Sequence, residues 1–231
     1  MENDGHGGGR WIEVAPDRLA RWLESFAERH GGATAEAGPE IVIFRAPDGA
    51  VAECHVPFPP LAGMAADSDA VPGAAARAGY GERIAAHACA DRTVGVFLVR
   101  LGGYAAGVFT GPVPALAASK VGSRLVHGRS AAGGTSQHRF ARRREKQASE
   151  ALGAAADTAA AVFEPYAARL GAVVLGGDRR AMAQLRDDPR LASYFGLAVE
   201  RFLTVPDPRL TVLRGTPRLF LAIRIRLTGP A

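Results

Sequence analysis

The chain has 231 residues, 48% of them hydrophobic, enough to bury one large core or two smaller ones. Its 28 Lys/Arg outnumber 23 Asp/Glu for a net charge of +5, and its two cysteines, Cys54 and Cys89, form neither a CxxC pair nor a His/Cys metal spacing. No apolar run approaches the roughly 18–20 residues of a membrane span, so a transmembrane helix, a disulfide scaffold and a structural zinc site are excluded.

Residues 1–9 hold no apolar stretch of the kind a signal peptide needs and read as a disordered tail. With cysteine used so sparingly, this implies a reduced, cytoplasmic protein whose thiols are small buried hydrophobes. Trp11, Ile12 and Val14 form an apolar lead-in, and Pro16 suits the first turn of a helix. Leu19, Trp22, Leu23 and Phe26 follow at three- and four-residue spacing, one face of an amphipathic helix that Gly31-Gly32 ends. Strands are expected at 41–45 and 51–56 around the turn Pro47-Asp48-Gly49. Residues 10–60 thus make a small helix-plus-hairpin α+β unit. The Ala/Gly/Asp/Pro stretch 61–82 reads as a linker or mobile loop, and 83–231 as a larger second domain opening with a short helix at 84–90.

In that second domain, 93–100 and 104–110 are β-branched and aromatic strands joined by Gly102-Gly103, and a third is expected at 113–126. Residues 137–163 lack proline and are rich in Ala, Arg, Glu and Gln, which predicts a long helix. Leu152, Ala155, Ala156, Ala159, Val162 and Phe163 form its core stripe. A short buried strand at 172–175 leads to Gly176-Gly177-Asp178, a cap for a helix at 179–186, and further strands are expected at 197–205 and 219–227. Strands first, then helix, strand, helix, strand, give the fold class α/β (α+β): a mixed sheet with flanking helices, plus the small N-terminal unit.

The charge is concentrated. Residues 120–147, KVGSRLVHGRSAAGGTSQHRFARRREKQ, contain eight Lys/Arg (Lys120, Arg124, Arg129, Arg139, Arg142, Arg143, Arg144, Lys146) against Glu145 alone. That is +7 in one segment, so the remainder of the chain sums to −2. Local positive charge beside a loop of small residues (128–136) points to a polyanion. Three readings of the loop rest on spacing. Gly128-(x4)-Gly133-Gly134-Thr135 has phosphate-loop glycine spacing, but Gly134 stands where the lysine that neutralises the phosphates must be. Gly134-Thr135-Ser136-Gln137-His138 centres a serine as in a nucleophile elbow, but His138 replaces the closing glycine and no Asp/His partners stand out. The third is a solvated basic helix beside a loop with no ligand.

A fourth reading is a resemblance. The order strands, 120–147, long helix, Val173-Val174-Leu175-Gly176-Gly177-Asp178 resembles the catalytic domain of the eukaryotic and archaeal class I peptide release factors. It is most similar to the peptidyl-tRNA hydrolases of ribosome quality control related to the ankyrin-repeat and zinc-finger release factor, in an actinobacterial branch. The resemblance covers about 91–227, with 123–147 most specific. Termination factors carry Gly-Gly-Gln; here Gly133-Gly134-Thr135-Ser136-Gln137 inserts two residues, leaving the Gly-x-x-Gln of the quality-control hydrolases at 134–137. It implies a monomeric, codon-independent peptidyl-tRNA hydrolase partnered by the large ribosomal subunit and peptidyl-tRNA, with no metal or cofactor. The implied roles are water positioning for Gln137 and loop geometry for Gly133, Gly134, Thr135 and Ser136. Lys120, Arg124, Arg129, Arg139, Arg142, Arg143, Arg144 and Lys146 would bind RNA. His127 and His138 are candidate general bases. The alternative is a non-catalytic RNA- or ribosome-binding protein docking by the same basic helix.

Overall fold

In the computed structural model, which describes residues 9–61, 71–72, 74–100, 102–124 and 136–230, the apolar lead-in is a strand, β1 (Arg10–Val14). Pro16 opens a 3-10 turn (Pro16–Arg18), and α1 (Leu19–Arg29) follows with Leu19, Leu23, Phe26 and Ala27 buried. Gly31 and Gly32 end it at φ 75° and 112°, and the Gly32 N–H donates back to the Ala27 carbonyl at 2.7 Å. That reach spans the last turn and satisfies a carbonyl the helix itself leaves free. Next come β2 (Thr34–Ala37), β3 (Ile41–Arg45) and β4 (Val51–His55). The β3–β4 turn is held by Asp48, whose Oδ1 accepts from the Ala50 N–H at 3.0 Å, and by Gly49 at φ 91°.

Two strands here were not expected, and the short helix expected at 84–90 starts ten residues earlier. β2 has only a weak signal, Ala35 and Ala37 alternating with exposed Thr34 and Glu36. A two-residue strand, β5 (Val71–Pro72), and α2 (Ala74–Ala88) lie partly inside the stretch read as a linker. Alanine favours the helix, and one glycine that argued against it, Gly81, has a packing use. A Cβ at Gly81 would stand 3.0 Å from Leu23 Cδ1, so the missing side chain lets α2 close on α1.

β6 (Thr93–Arg100), β7 (Gly103–Thr110) and β8 (Ala115–Ser123) form the expected antiparallel meander, with Gly102 at φ 83° beside the first turn. The long helix is α3 (Ser136–Phe163). After it come β9 (Leu170–Gly177), α4 (Arg179–Leu185), α5 (Ala192–Gly196), β10 (Ala198–Leu203), α6 (Leu210–Arg214) and α7 (Pro217–Phe220). The strand order is β10-β9-β6-β7-β8, with β9 parallel to both β6 and β10. This is the mixed sheet with flanking helices that the element order implied. Strands β6 and β7 are buried at every residue but their ends, the mark of a sheet covered on both faces. On one face Ala155, Ala156, Ala159 and Phe163 of α3 close on Phe97, Val99, Tyr104 and Val108. On the other, Leu213 of α6 packs over Gly107, where a Cβ would meet its Cδ2 at 2.9 Å.

The final strand, β11 (Ile223–Thr228), does not join this sheet. It pairs antiparallel with β1 and β4, giving a six-stranded first sheet of order β1-β11-β4-β3-β2-β5. The chain divides into two compact units, Met1–Ala90 with Leu221–Ala231, and Asp91–Phe220. Residues 83–90 and 221–231, grouped with the second domain on sequence, therefore belong to the first, and the 219–227 stretch splits into helix and strand. Ile223 and Ile225 are buried in the first core beside Phe44 and Leu23, and the intervening arginines take the opposite face. Among the described residues no helix is long and apolar enough to cross a membrane.

Candidate nucleic-acid interface

The basic segment is carried by the edge strand of the second sheet and by α3. Ala118 of β8 packs on the core beneath α3, so Lys120, Gly122 and Arg124, at two-residue steps, share that face. Lys120 and Arg124 are exposed. Pairing of β8 runs to its end: Ser123 is opposite Gly103, and the Arg124 N–H donates to the Gly102 carbonyl at 2.8 Å. Under that last stretch the Tyr104 ring lies flat on Gly122, where a Cβ would be 2.6 Å from the ring. The strand is thus tied down to the residue from which the small-residue loop departs.

Ser136 and Gln137 lie in the first turn of α3. Arg129, Gly133, Gly134, Thr135 and His127 fall outside the described residues, as do residues 1–8 of the expected tail and the side chains of 136–144. At 3.6 residues per turn, positions 139, 142, 143 and 146 fall on one stripe, so Arg139, Arg142, Arg143 and Lys146 share a helix face by register. Position 137 falls on the row of Arg144, Ala151, Ala155 and Val162, the last three buried farther along. Lys146 is 80% exposed and pairs with Glu150 one turn on at 3.9 Å, a contact too solvated to hold the amine from another partner.

A groove of about 550 Å³ runs between α3 and α4, lined by Glu145, Ser149, Gly153, Gln184, Asp188 and Arg190 among others. Arg190 ties its walls together: its guanidinium donates to Asp157 of α3 and, at 2.5 Å, to Asp188. The Arg190 hydrogen bond holds the Asp188 carboxyl below the usual aspartate range, and Asp188 raises Arg190 in turn. Burial, with Glu164 nearby, pushes the Tyr194 hydroxyl up. Asp178 caps α4, its Oδ1 accepting from the Arg180 and Ala181 N–H groups at 2.7 and 3.1 Å. Among the described residues no group of three His, Cys, Asp or Glu could hold a metal ion. His30 bonds Asp48 at 2.7 Å, and His87 Nε2 lies 2.9 Å from the Phe58 carbonyl.

Sequence reasoning missed a second group of arginines. Arg179 lies over the Phe202 ring at 4.4 Å and Arg186 over Phe195 at 5.2 Å. Only the shared seven-residue spacing, 179 to 186 and 195 to 202, hinted at it.

The family model for the Actinobacteria/chloroflexi VLRF1 release factor matches residues 92–226, more than half of the chain. No curated protein sequence matches it. Among solved structures, the archaeal translation termination factor aRF1 is 14% identical with a TM-score of 0.42, over 77% of this chain and 51% of that one. The chain therefore spans about half the length of that factor. The Vms1 mitochondrial localization core is 10% identical with a TM-score of 0.38, over 94% of this chain and 82% of that one. An archaeal protein is 9% identical with a TM-score of 0.36, over 88% and 62%.

Proposed function

The chain belongs to the Actinobacteria/chloroflexi VLRF1 release factor family, and on that premise we propose that it is a codon-independent peptidyl-tRNA hydrolase freeing nascent chains from obstructed large ribosomal subunits. The observation that carries this reading is the coincidence, inside the matched region, of a Gly-x-x-Gln sequence at 134–137 with a basic stripe at the start of a helix whose far half is anchored in the core. Kinship with the ankyrin-repeat and zinc-finger hydrolases, a monomeric cytoplasmic state, and assignment of catalysis to the second unit are parts of the same proposal.

The reaction needs little from the protein. Water attacks the carbonyl carbon of the ester linking the peptide to the tRNA 3′ adenosine. The C–O bond to the ribose breaks, the peptide leaves as an acid, and the ribose oxygen takes up the proton. An amide suits the tip: it donates and accepts hydrogen bonds and does not titrate. Gln137 positions the water, and its backbone N–H is a candidate donor to the developing oxyanion. Gly133, Gly134, Thr135 and Ser136 are small enough for close approach to RNA. Lys120, Arg124, Arg129, Arg139, Arg142, Arg143, Arg144 and Lys146 neutralise rRNA or tRNA phosphates, a salt-sensitive contribution.

The test is single-turnover release of labelled peptide from peptidyl-tRNA on isolated large subunits. Gln137→Ala should slow release about 10²–10³-fold, as loss of one transition-state donor does, and leave subunit binding intact. Release by the variant at the parental rate sinks the assignment of catalysis to Gln137, and no release by the parent leaves a non-catalytic ribosome-binding protein.

A further inference from the structure

We propose that the second unit carries a second RNA-binding surface, built on α4, in which Arg179 and Arg186 grip large-subunit rRNA phosphates; it rests on the ribosomal reading above. Arg179 opens α4 and Arg186, with helical φ and ψ, caps its C-terminus, so the two stand on one side of the helix about 10 Å apart along its axis. Both are exposed. Each guanidinium is laid over a half-buried phenylalanine, Phe202 of β10 and Phe195 of α5, and both rings are packed against the core. A guanidinium held over a ring has lost side-chain freedom before any ligand arrives, yet the residue stays exposed. That is a pre-ordered donor fork, the geometry that phosphate recognition uses.

Two of the nearby acids, unlike the exposed Asp187 next to Arg186, are committed elsewhere. Asp188 is held by Arg190, and Asp178 by the backbone at the head of α4. Among the described residues neither Arg179 nor Arg186 forms an ion pair. α4 also borders the helix that carries the basic segment. Glu145 and Ser149 of α3 share a groove with Gln184 and Leu185 of α4, and Glu145 directly follows Arg142, Arg143 and Arg144. The unit that holds both surfaces, Asp91–Phe220, contains nineteen Lys/Arg and ten Asp/Glu, which fits a polyanion rather than an acidic-and-basic protein partner.

The experiment measures co-sedimentation with isolated large subunits, and filter binding to protein-free large-subunit rRNA, between 50 and 200 mM salt. Two phosphates lost should lower the slope of log affinity against log salt by about 1.4–1.8, so the gap between the parent and Arg179→Gln/Arg186→Gln closes about tenfold over that range. Arg179→Lys/Arg186→Lys keeps the charges and should keep the slope. An unchanged slope in the Gln pair overturns the proposal. So does an equal loss in the Lys pair, which would mean that the arginines only support the fold. Weakened subunit binding with unchanged rRNA binding overturns it in favour of a ribosomal protein. If the parent releases no peptide, the hydrolase reading fails while the slope test stands; an active parent with an unaffected Gln pair leaves the hydrolase and removes the surface.

Discussion

Gly122 is the position at which the anchoring of the loop can be tested by a single methyl group. An ideal Cβ there lies 2.6 Å from Tyr104 Cε2, Cζ and Oη, whereas ordinary contacts begin near 3.4 Å. In Gly122→Ala the ring must therefore retreat by roughly 1 Å, an overpacking that costs about 1–3 kcal/mol. Tyr104 is only 8% exposed, so Tyr104→Ala alone should cost about 3–5 kcal/mol. In the double variant no ring remains to be displaced, and the cost of the added methyl should vanish. The two substitutions are then strongly non-additive, with a coupling of about 1–3 kcal/mol. Both tryptophans, Trp11 and Trp22, lie in the first unit, so their fluorescence does not follow this strand pair. Hydrogen exchange of the β7 and β8 amides in increasing urea does. Additivity within about 0.5 kcal/mol would show that the ring does not rest on Gly122 and that the strand end is held some other way.

Three further outcomes are expected. Reversing Arg142, Arg143 and Arg144 to Glu should weaken large-subunit association and flatten its salt dependence by about 2–3 in log–log slope, read by co-sedimentation; unchanged binding removes α3 as a docking element. Asp188 has a folded pKa below its unfolded value, so its pairing with Arg190 contributes stability above the ordinary aspartate range, and that contribution fades as pH falls through the lowered value. Hydrogen-exchange protection of α4 should therefore drop below about pH 4, and Asp188→Asn should remove that step. Cys54 is fully buried and its thiol pKa is raised by burial, whereas Cys89 is partly exposed. Iodoacetamide should label Cys89 in the native protein and Cys54 only after the first unit opens; equal labelling rates would contradict the packing of β4.

What the sequence disclosed follows the range over which each signal acts. The β6–β7–β8 meander and α3 were legible because their information is local: β-branched runs punctuated by glycine, then a long proline-free stretch with alanines at helical spacing. The pairing partner of β11 was not, because Ile-Arg-Ile-Arg alternation says that one face is buried without saying against which sheet. α2 was obscured by its glycines, and the purpose of one of them, Gly81 under Leu23, exists only in the packed state. The same division holds for the candidate site. The Lys/Arg cluster is visible as composition, and the family match falls on it. The stacking of Arg179 and Arg186 on Phe202 and Phe195 joins residues from three elements and has no local signature.

The placement of β11 has a consequence for how this protein is made. Its first sheet lacks an inner strand until residues 223–228 have emerged, because β1 and β4 pair with β11 and not with each other. Asp91–Phe220 is translated in between and can close on its own contacts. During vectorial synthesis the earlier-made segment must wait, with two strand edges unsatisfied, while the later-made one matures. A ribosome that stalled late on this message would hold a chain with its second unit formed and its first open, an intermediate exposed to edge-to-edge misassembly.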